Sequence, residues 1–215
     1  MQRRQAFKHL VALGGLILVG GPAFAQGNAQ FQVLSNPQPP EVKGKIEIIE
    51  FFHYGCPHCR KLDPLLEQWL KNLPGDVAFR RVPAIWGNAQ LAALARFYYA
   101  GEVSGDLAKL HGKVFQAVQD DKVALADKDP KEAEAATAEW VAKQGVDAKK
   151  FMEAYKSFGV NSKIERANQL ARTYQIDGVP TLIVGGKYAV KGDDASVLKT
   201  TDELLARVRK EQAKG

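Results

Sequence analysis

Residues 46–52, IEIIEFF, are a β-branched and aromatic run broken only by Glu47 and Glu50, and they lead almost directly into FFHYGCPHCR at 51–60. A run this apolar suits a central strand covered on both faces, so helices must pack on either side of it. Alternation places Ile46, Ile48, Glu50 and Phe52 on one face. Glu50 is thus a carboxylate among apolar neighbours. The strand ends just before Cys56 and Cys59, the only two cysteines of the chain, which are separated by Pro57 and His58.

The pattern after the cysteines changes to helical spacing: Leu62, Leu65, Leu66, Trp69, Leu70 and Leu73 share a face, and LPGD closes the segment. This helix is expected to begin at the CPHC, with Pro57 at its first position, where a missing N–H costs nothing. Pro64 falls inside it and predicts a kink. VAFRRV (77–82) reads as a second strand, and FQVL near residue 31 as a short leading one. Five helices are expected between Asn88 and about Tyr174. The third opens at Asp129-Pro130, the fourth is capped by Asp147 and ended by Gly159, and the fifth starts at Ser162. TLIV, a Gly185-Gly186 turn and KYAV predict a hairpin, followed by a last amphipathic helix. Strand–helix–strand demands a parallel pair with a right-handed crossover, and the returning hairpin adds antiparallel strands. The fold class is therefore α/β: a mixed central sheet with flanking helices and an inserted all-helical domain.

The first 25 residues are of another kind. Arg3, Arg4 and Lys8 precede the apolar run LVALGGLILVG, and Ala23-Phe24-Ala25 is an A-x-A cleavage site. That is the pattern of a secretory signal peptide, so the mature chain is expected to start at Gln26 in the periplasm. The apolar run is short for a membrane span. Arg3-Arg4 leaves twin-arginine export as an alternative to the general route. The chain carries a net charge of +6, and three of those positive charges lie in the leader. The remaining +3 is too little to argue for nucleic acid, and no basic stripe is present. The expected organisation is a leader over 1–25, a sheet domain begun over 26–87, a helical insertion over 88–174, and the sheet domain completed over 175–215.

Export decides how the cysteines are read. Structural disulfides stabilise most when they close long loops. A Cys56–Cys59 bond closes almost none, so the pair serves something other than stapling. Zinc would need two further ligands, and the sequence has no second C-x-x-C and no H-x-x-x-H. A thiol attacks a disulfide only as thiolate, and a helix N-terminus, a nearby cation and a C-x-x-C arrangement all favour that form. Cys56 is expected just before the first turn, facing unpaired N–H groups, with Cys59 sheltered one turn deeper. A cationic His58 is disfavoured at a helix N-terminus unless an anion lies beside it, and the Cys56 thiolate would supply one. Such a pairing favours the dithiol and makes the disulfide oxidising.

FFHYGCPHC, together with the order strand, CPHC helix, strand, helical insertion, GVPT, hairpin and helix, resembles the DsbA family of thioredoxin-fold disulfide oxidases over nearly the whole mature chain. The stretch from Cys59 to Pro180 is far longer than a bare thioredoxin framework needs, and the family carries its helical domain there. On periodicity alone Glu50 could be a solvated residue at a strand end or a buried acid. The resemblance implies the buried acid beneath the cysteines, able to exchange a proton with Cys59. Val179-Pro180 could be an ordinary turn before a strand, since a cis bond is not legible in sequence. The resemblance implies the cis-proline loop facing the cysteines, where the Val179 backbone pairs with an extended substrate. Pro64 is more like thioredoxin itself, and His53-Tyr54-Gly55 replaces a more aromatic lead-in.

The function expected is a protein disulfide oxidase that gives its Cys56–Cys59 disulfide to newly exported proteins. A reductase or isomerase of the same fold, or a non-catalytic binding module, are the competing readings. DsbC-type isomerases add an N-terminal dimerisation domain, for which the short segment before the first core strand leaves no room. The resemblance further implies reoxidation by a quinone-linked membrane partner of the DsbB type, no cofactor beyond the redox-active disulfide, and a monomer.

Overall fold

The computed structural model describes residues 30–213, so the leader and the Gln26 cleavage site lie outside the described residues. Strand β1 (Phe31–Val33) is short, β2 (Ile46–Phe52) is buried throughout, and helix α1 (Pro57–Leu70) follows it with Cys56 as N-cap. β3 (Val77–Pro83) returns parallel to β2, pairing Ile46 with Val77 and Glu50 with Arg81. Five helices come next: α2 (Ala89–Ser104), α3 (Leu107–Gln119), α4 (Pro130–Lys143), α5 (Ala148–Tyr155) and α6 (Phe158–Thr173). The chain then re-enters the sheet as the hairpin β4 (Thr181–Val184) and β5 (Tyr188–Lys191) and ends in α7 (Ala195–Gln212). The sheet order is β1-β5-β4-β2-β3, with β2–β3 parallel and the other pairs antiparallel.

Two apolar clusters follow from the alternation of β2. Ile46 and Ile48 meet Leu62 and Leu66 of α1 and Leu204, Leu205 and Val208 of α7 on one face. Ile49 and Phe51 point the other way, into a larger cluster continuous with α2–α6. Phe52 departs from the expected alternation and joins this second cluster. It stands at the end of β2, where its ring lies edge-on to Tyr54, Tyr98 and His111 at 5.2–5.4 Å. Aromatic packing outweighs the strand period at that point.

The helix signals read from the sequence hold at Asn88, Asp129 and Asp147, each of which caps the helix after it. Gly159 is a correction. It does not end the fourth helix but sits in the first turn of α6, because the Ser157 hydroxyl accepts the Val160 N–H and starts that helix before Ser162. Gly185 and Gly186 both adopt left-handed φ, 58° and 66°. A Cβ on Gly186 would lie 1.9 Å from the Gln38 carbonyl oxygen, so the hairpin turn tolerates no side chain there. No helix among the described residues is long and apolar enough to cross a membrane.

Candidate active site

The N-terminus of α1 is where the sheet, the helical segment and the loop before β4 converge. Cys56 takes extended backbone angles as the N-cap, and its Sγ accepts the Cys59 N–H at 3.3 Å. Pro57 occupies the first helical position, as its fixed φ and missing N–H suggest. Both cysteines are free; Cys56 is 6% exposed and Cys59 fully buried. The Cys56 Sγ also lies 3.4 Å from the Val179 carbonyl oxygen. The Val179-Pro180 peptide bond is cis. Cys56, Cys59, Val179 and Pro180 are thus gathered at one place from segments more than a hundred residues apart.

The two sulfurs are driven in opposite directions. A hydrogen bond from the Cys59 side chain does most to bring the Cys56 thiol down, to about 6. Burial opposes this, the backbone N–H groups of Cys59 and His58 assist it, and the His58 charge adds the smallest share. Burial pushes the Cys59 thiol far up, reinforced by its bond to Cys56. One sulfur is held as thiolate and the other as thiol.

His58 is placed differently from the sequence reading. Its Nδ1 lies 2.7 Å from Asp193 Oδ2, and the imidazole is largely exposed, with Lys61 on the other carboxylate oxygen at 2.9 Å. The anion beside His58 is therefore a carboxylate from the β5–α7 loop as well as the thiolate. Asp193 carried no signal in the sequence because only the fold brings that loop over α1.

Glu50 is 1% exposed. Its surroundings are not the purely apolar face that alternation predicted. Parallel register sets Arg81 directly across from it, Nε to Oε2 at 2.9 Å. The same guanidinium reaches Asp63 at 3.2 Å and Glu67 at 2.7 Å. Asp63 in turn meets His111 Nε2 at 3.1 Å, and His111 Nδ1 meets the Tyr54 hydroxyl at 2.8 Å. Burial raises the Glu50 carboxyl to about 7, against the pull of Arg81 and with help from Asp63. Glu50 makes its side-chain hydrogen bond to Arg81 and bears on Cys59 through its charge. The second Arg of VAFRRV was the available sequence signal, since a charge inside a covered strand needs a buried partner.

Two further residues near the cysteines were not singled out by sequence. Trp86 has a left-handed φ of 45°, donates its indole N–H to the Ile176 carbonyl at 2.7 Å, and meets His53 edge-on. Gln119 donates to the carbonyls of both Tyr54 and Cys56. Among the described residues, no group of three or more His, Cys, Asp or Glu is arranged to hold a metal ion.

A C-x-x-C pair at a helix N-terminus, its first sulfur ionised at neutral pH and set against a cis-proline loop, makes this a thiol:disulfide oxidoreductase of the thioredoxin class. A family model described as DSBA-like thioredoxin domain matches residues 76–202. The thiol:disulfide interchange protein DsbA of Bordetella pertussis is 39% identical over 204 residues, 93% of this chain and 94% of that protein. The crystal structure of Pseudomonas aeruginosa DsbA is similar with a TM-score of 0.79 at 34% identity, covering 87% of this chain and 95% of that one. Reduced DsbA1 from Neisseria meningitidis gives 0.76 at 33% identity, covering 91% and 100%. The chain belongs to the DsbA-like thioredoxin family.

Proposed function

We propose that the protein oxidises dithiols of exported proteins with Cys56 as the attacked sulfur and Cys59 as the sulfur that leaves. A substrate thiolate attacks Cys56 Sγ of the disulfide, the Cys56–Cys59 bond breaks, and Cys59 departs with the electron pair. Glu50, held near neutrality by burial, gives the proton that makes Cys59 a thiol. A second substrate thiolate then attacks the substrate sulfur of the mixed disulfide and expels Cys56 as thiolate. The substrate has lost two electrons, and the protein holds them as a thiol and a thiolate. The observation that carries this reading is the placement of the two sulfurs: Cys56 Sγ at the N-cap accepts the Cys59 N–H and faces the Val179 carbonyl, while Cys59 is fully buried, which displaces the two thiols in opposite directions. A low-pKa sulfur leaves readily, which favours release of oxidised substrate.

Val179 and Pro180 form the wall opposite the sulfurs, and an extended substrate pairs there with the Val179 backbone. Pro57 fixes the helix start, and His58 and Asp193 shape the rim. The disulfide is the only redox group required, and a quinone-linked membrane oxidase of the DsbB type restores it. The leader over 1–25 directs the chain to the periplasm, where it acts as a monomer with its sheet domain (26–87 and 175–215) interrupted by the helical insertion (88–174). In Cys59→Ser no internal disulfide can form. The Cys56 thiolate should still attack substrate disulfides, releasing one substrate sulfur as thiolate, and accumulate as mixed disulfides visible on non-reducing gels, because the Cys59 sulfur that would displace the substrate from Cys56 is gone. Trapping by Cys56→Ser instead would reverse the assignment of the two sulfurs.

A further inference from the structure

Cys56 follows Gly55, an exposed residue without a Cβ, and so the backbone presenting the sulfur has more freedom than most. Within the turn, one bond restrains it, from the Cys56 N–H to the His53 carbonyl at 3.0 Å. A further restraint comes from α3. Gln119, the last residue of that helix, donates through Nε2 to the Tyr54 carbonyl at 2.8 Å and to the Cys56 carbonyl at 3.0 Å. The two bonds hold the Tyr54–Gly55 peptide and the Cys56–Pro57 peptide, and so bracket Gly55 and the peptide that follows it. The Cys56 carbonyl also accepts the Arg60 N–H at 3.2 Å, so the position Gln119 holds is the start of α1 itself.

We propose that Gln119 is a positioning residue for the thiol chemistry: by holding the Tyr54 and Cys56 carbonyls it aims the first-turn N–H groups of α1 at the Cys56 sulfur. A hydrogen bond weakens steeply as its angle opens, so a small swing of the Gly55–Cys56 backbone costs the thiolate its donors while leaving α1 intact. The surroundings of Gln119 strengthen the placement. Its neighbour Asp120 forms a bidentate pair with Arg60 at 2.5–2.6 Å, and Lys122 donates to the Gln119 carbonyl. Further up α3, His111 reaches the Tyr54 hydroxyl. The helical insertion is thereby part of the apparatus that stabilises the thiolate, and not only a cover over it. This inference rests on Cys56 being the reactive thiolate.

The test is thiolate absorbance against pH on reduced wild type, Gln119→Ala and Gln119→Met, the last keeping the side-chain volume if the smaller residue loosens the fold. The charged groups around the sulfur, His58, Arg60, Asp120 and Lys122, are unchanged in both variants. The expected result is a Cys56 pKa raised by about half a unit or more. Half a unit is about a threefold loss of thiolate at a given pH below the midpoint, and at a pH above both midpoints the glutathione equilibrium constant should move about threefold toward the protein disulfide. The reduced form should also lose more stability than the oxidised form. An unchanged pKa and equilibrium constant, with equal destabilisation of both redox forms, overturns the proposal and leaves Gln119 a packing residue. A wild-type Cys56 titrating near 9 would instead remove the reading of Cys56 on which the proposal stands.

Discussion

At His58 the sequence suggests one partner and the structure supplies two, which changes what its removal should do. The imidazole is bonded to Asp193, and its charge contributes least among the influences that bring Cys56 down to about 6. The hydrogen bonds from Cys59 and from the first-turn amides remain when the imidazole is removed. His58→Ala is therefore expected to raise the Cys56 pKa yet leave it well below 9. The redox potential should fall by about 30 mV for each unit of that rise, because one pKa unit and 30 mV in a two-electron couple are both about 1.4 kcal/mol. Thiolate titration and the glutathione equilibrium, measured on both proteins, give the two numbers. A Cys56 that returned to about 9 in His58→Ala would make the imidazole the dominant stabiliser and contradict the geometry.

The β2–β3 pair sets the second group of expectations. Parallel register places Arg81 beside Glu50, and three carboxylates share that one guanidinium. Glu50 titrates near 7 in the folded protein against an ordinary value of 4.5. As pH rises through 4.5 the unfolded chain releases this proton while the native state keeps it, so stability falls until about pH 7 and stays reduced above it. Glu50→Gln never ionises. It should gain up to about 3 kcal/mol over wild type at pH 8 and nothing below pH 4.5, as read from urea unfolding of the reduced protein. An equal difference at the two pH values would show that Glu50 is not desolvated. Arg81→Leu should act oppositely. Removing one partner of a buried pair costs about 3–5 kcal/mol, and the loss should shrink as pH falls toward 7 and stay constant below it, because without the guanidinium Glu50 takes up its proton at a higher pH than in wild type.

For the whole molecule, the redox state should set the stability. The Cys56 thiol titrates near 6 when folded and near 9 when unfolded. Between those values the native dithiol binds fewer protons than the unfolded chain, so its stability rises with pH and is lost as pH falls through 6. The oxidised protein has no such thiolate, and its disulfide closes too small a loop to compensate. Reduced protein should accordingly be the more stable form at pH 8, with the gap narrowing toward pH 5. Denaturant melts of both forms at the two pH values measure it. If the oxidised protein is the more stable at pH 8, the CPHC is a staple.

Most of the element order was legible because it rests on local physics. A covered strand announces itself by an unbroken apolar run, a helix start by Asp, Asn or Ser before apolar periodicity, and a redox pair by two cysteines that close no loop. Phe52 and Gly159 mark where local rules yield, one to aromatic packing at a strand end and the other to a serine cap that competes with a glycine stop. Cys56, Pro57, His58 and Cys59 are contiguous, so their chemistry could be reasoned from spacing alone. Arg81, Asp193 and Gln119 could not be, because each acts on the site across a strand register or a docking contact. Charge pairing and hydrogen bonding depend on distances of a few ångströms, and only the packed chain fixes those between residues that the sequence leaves far apart.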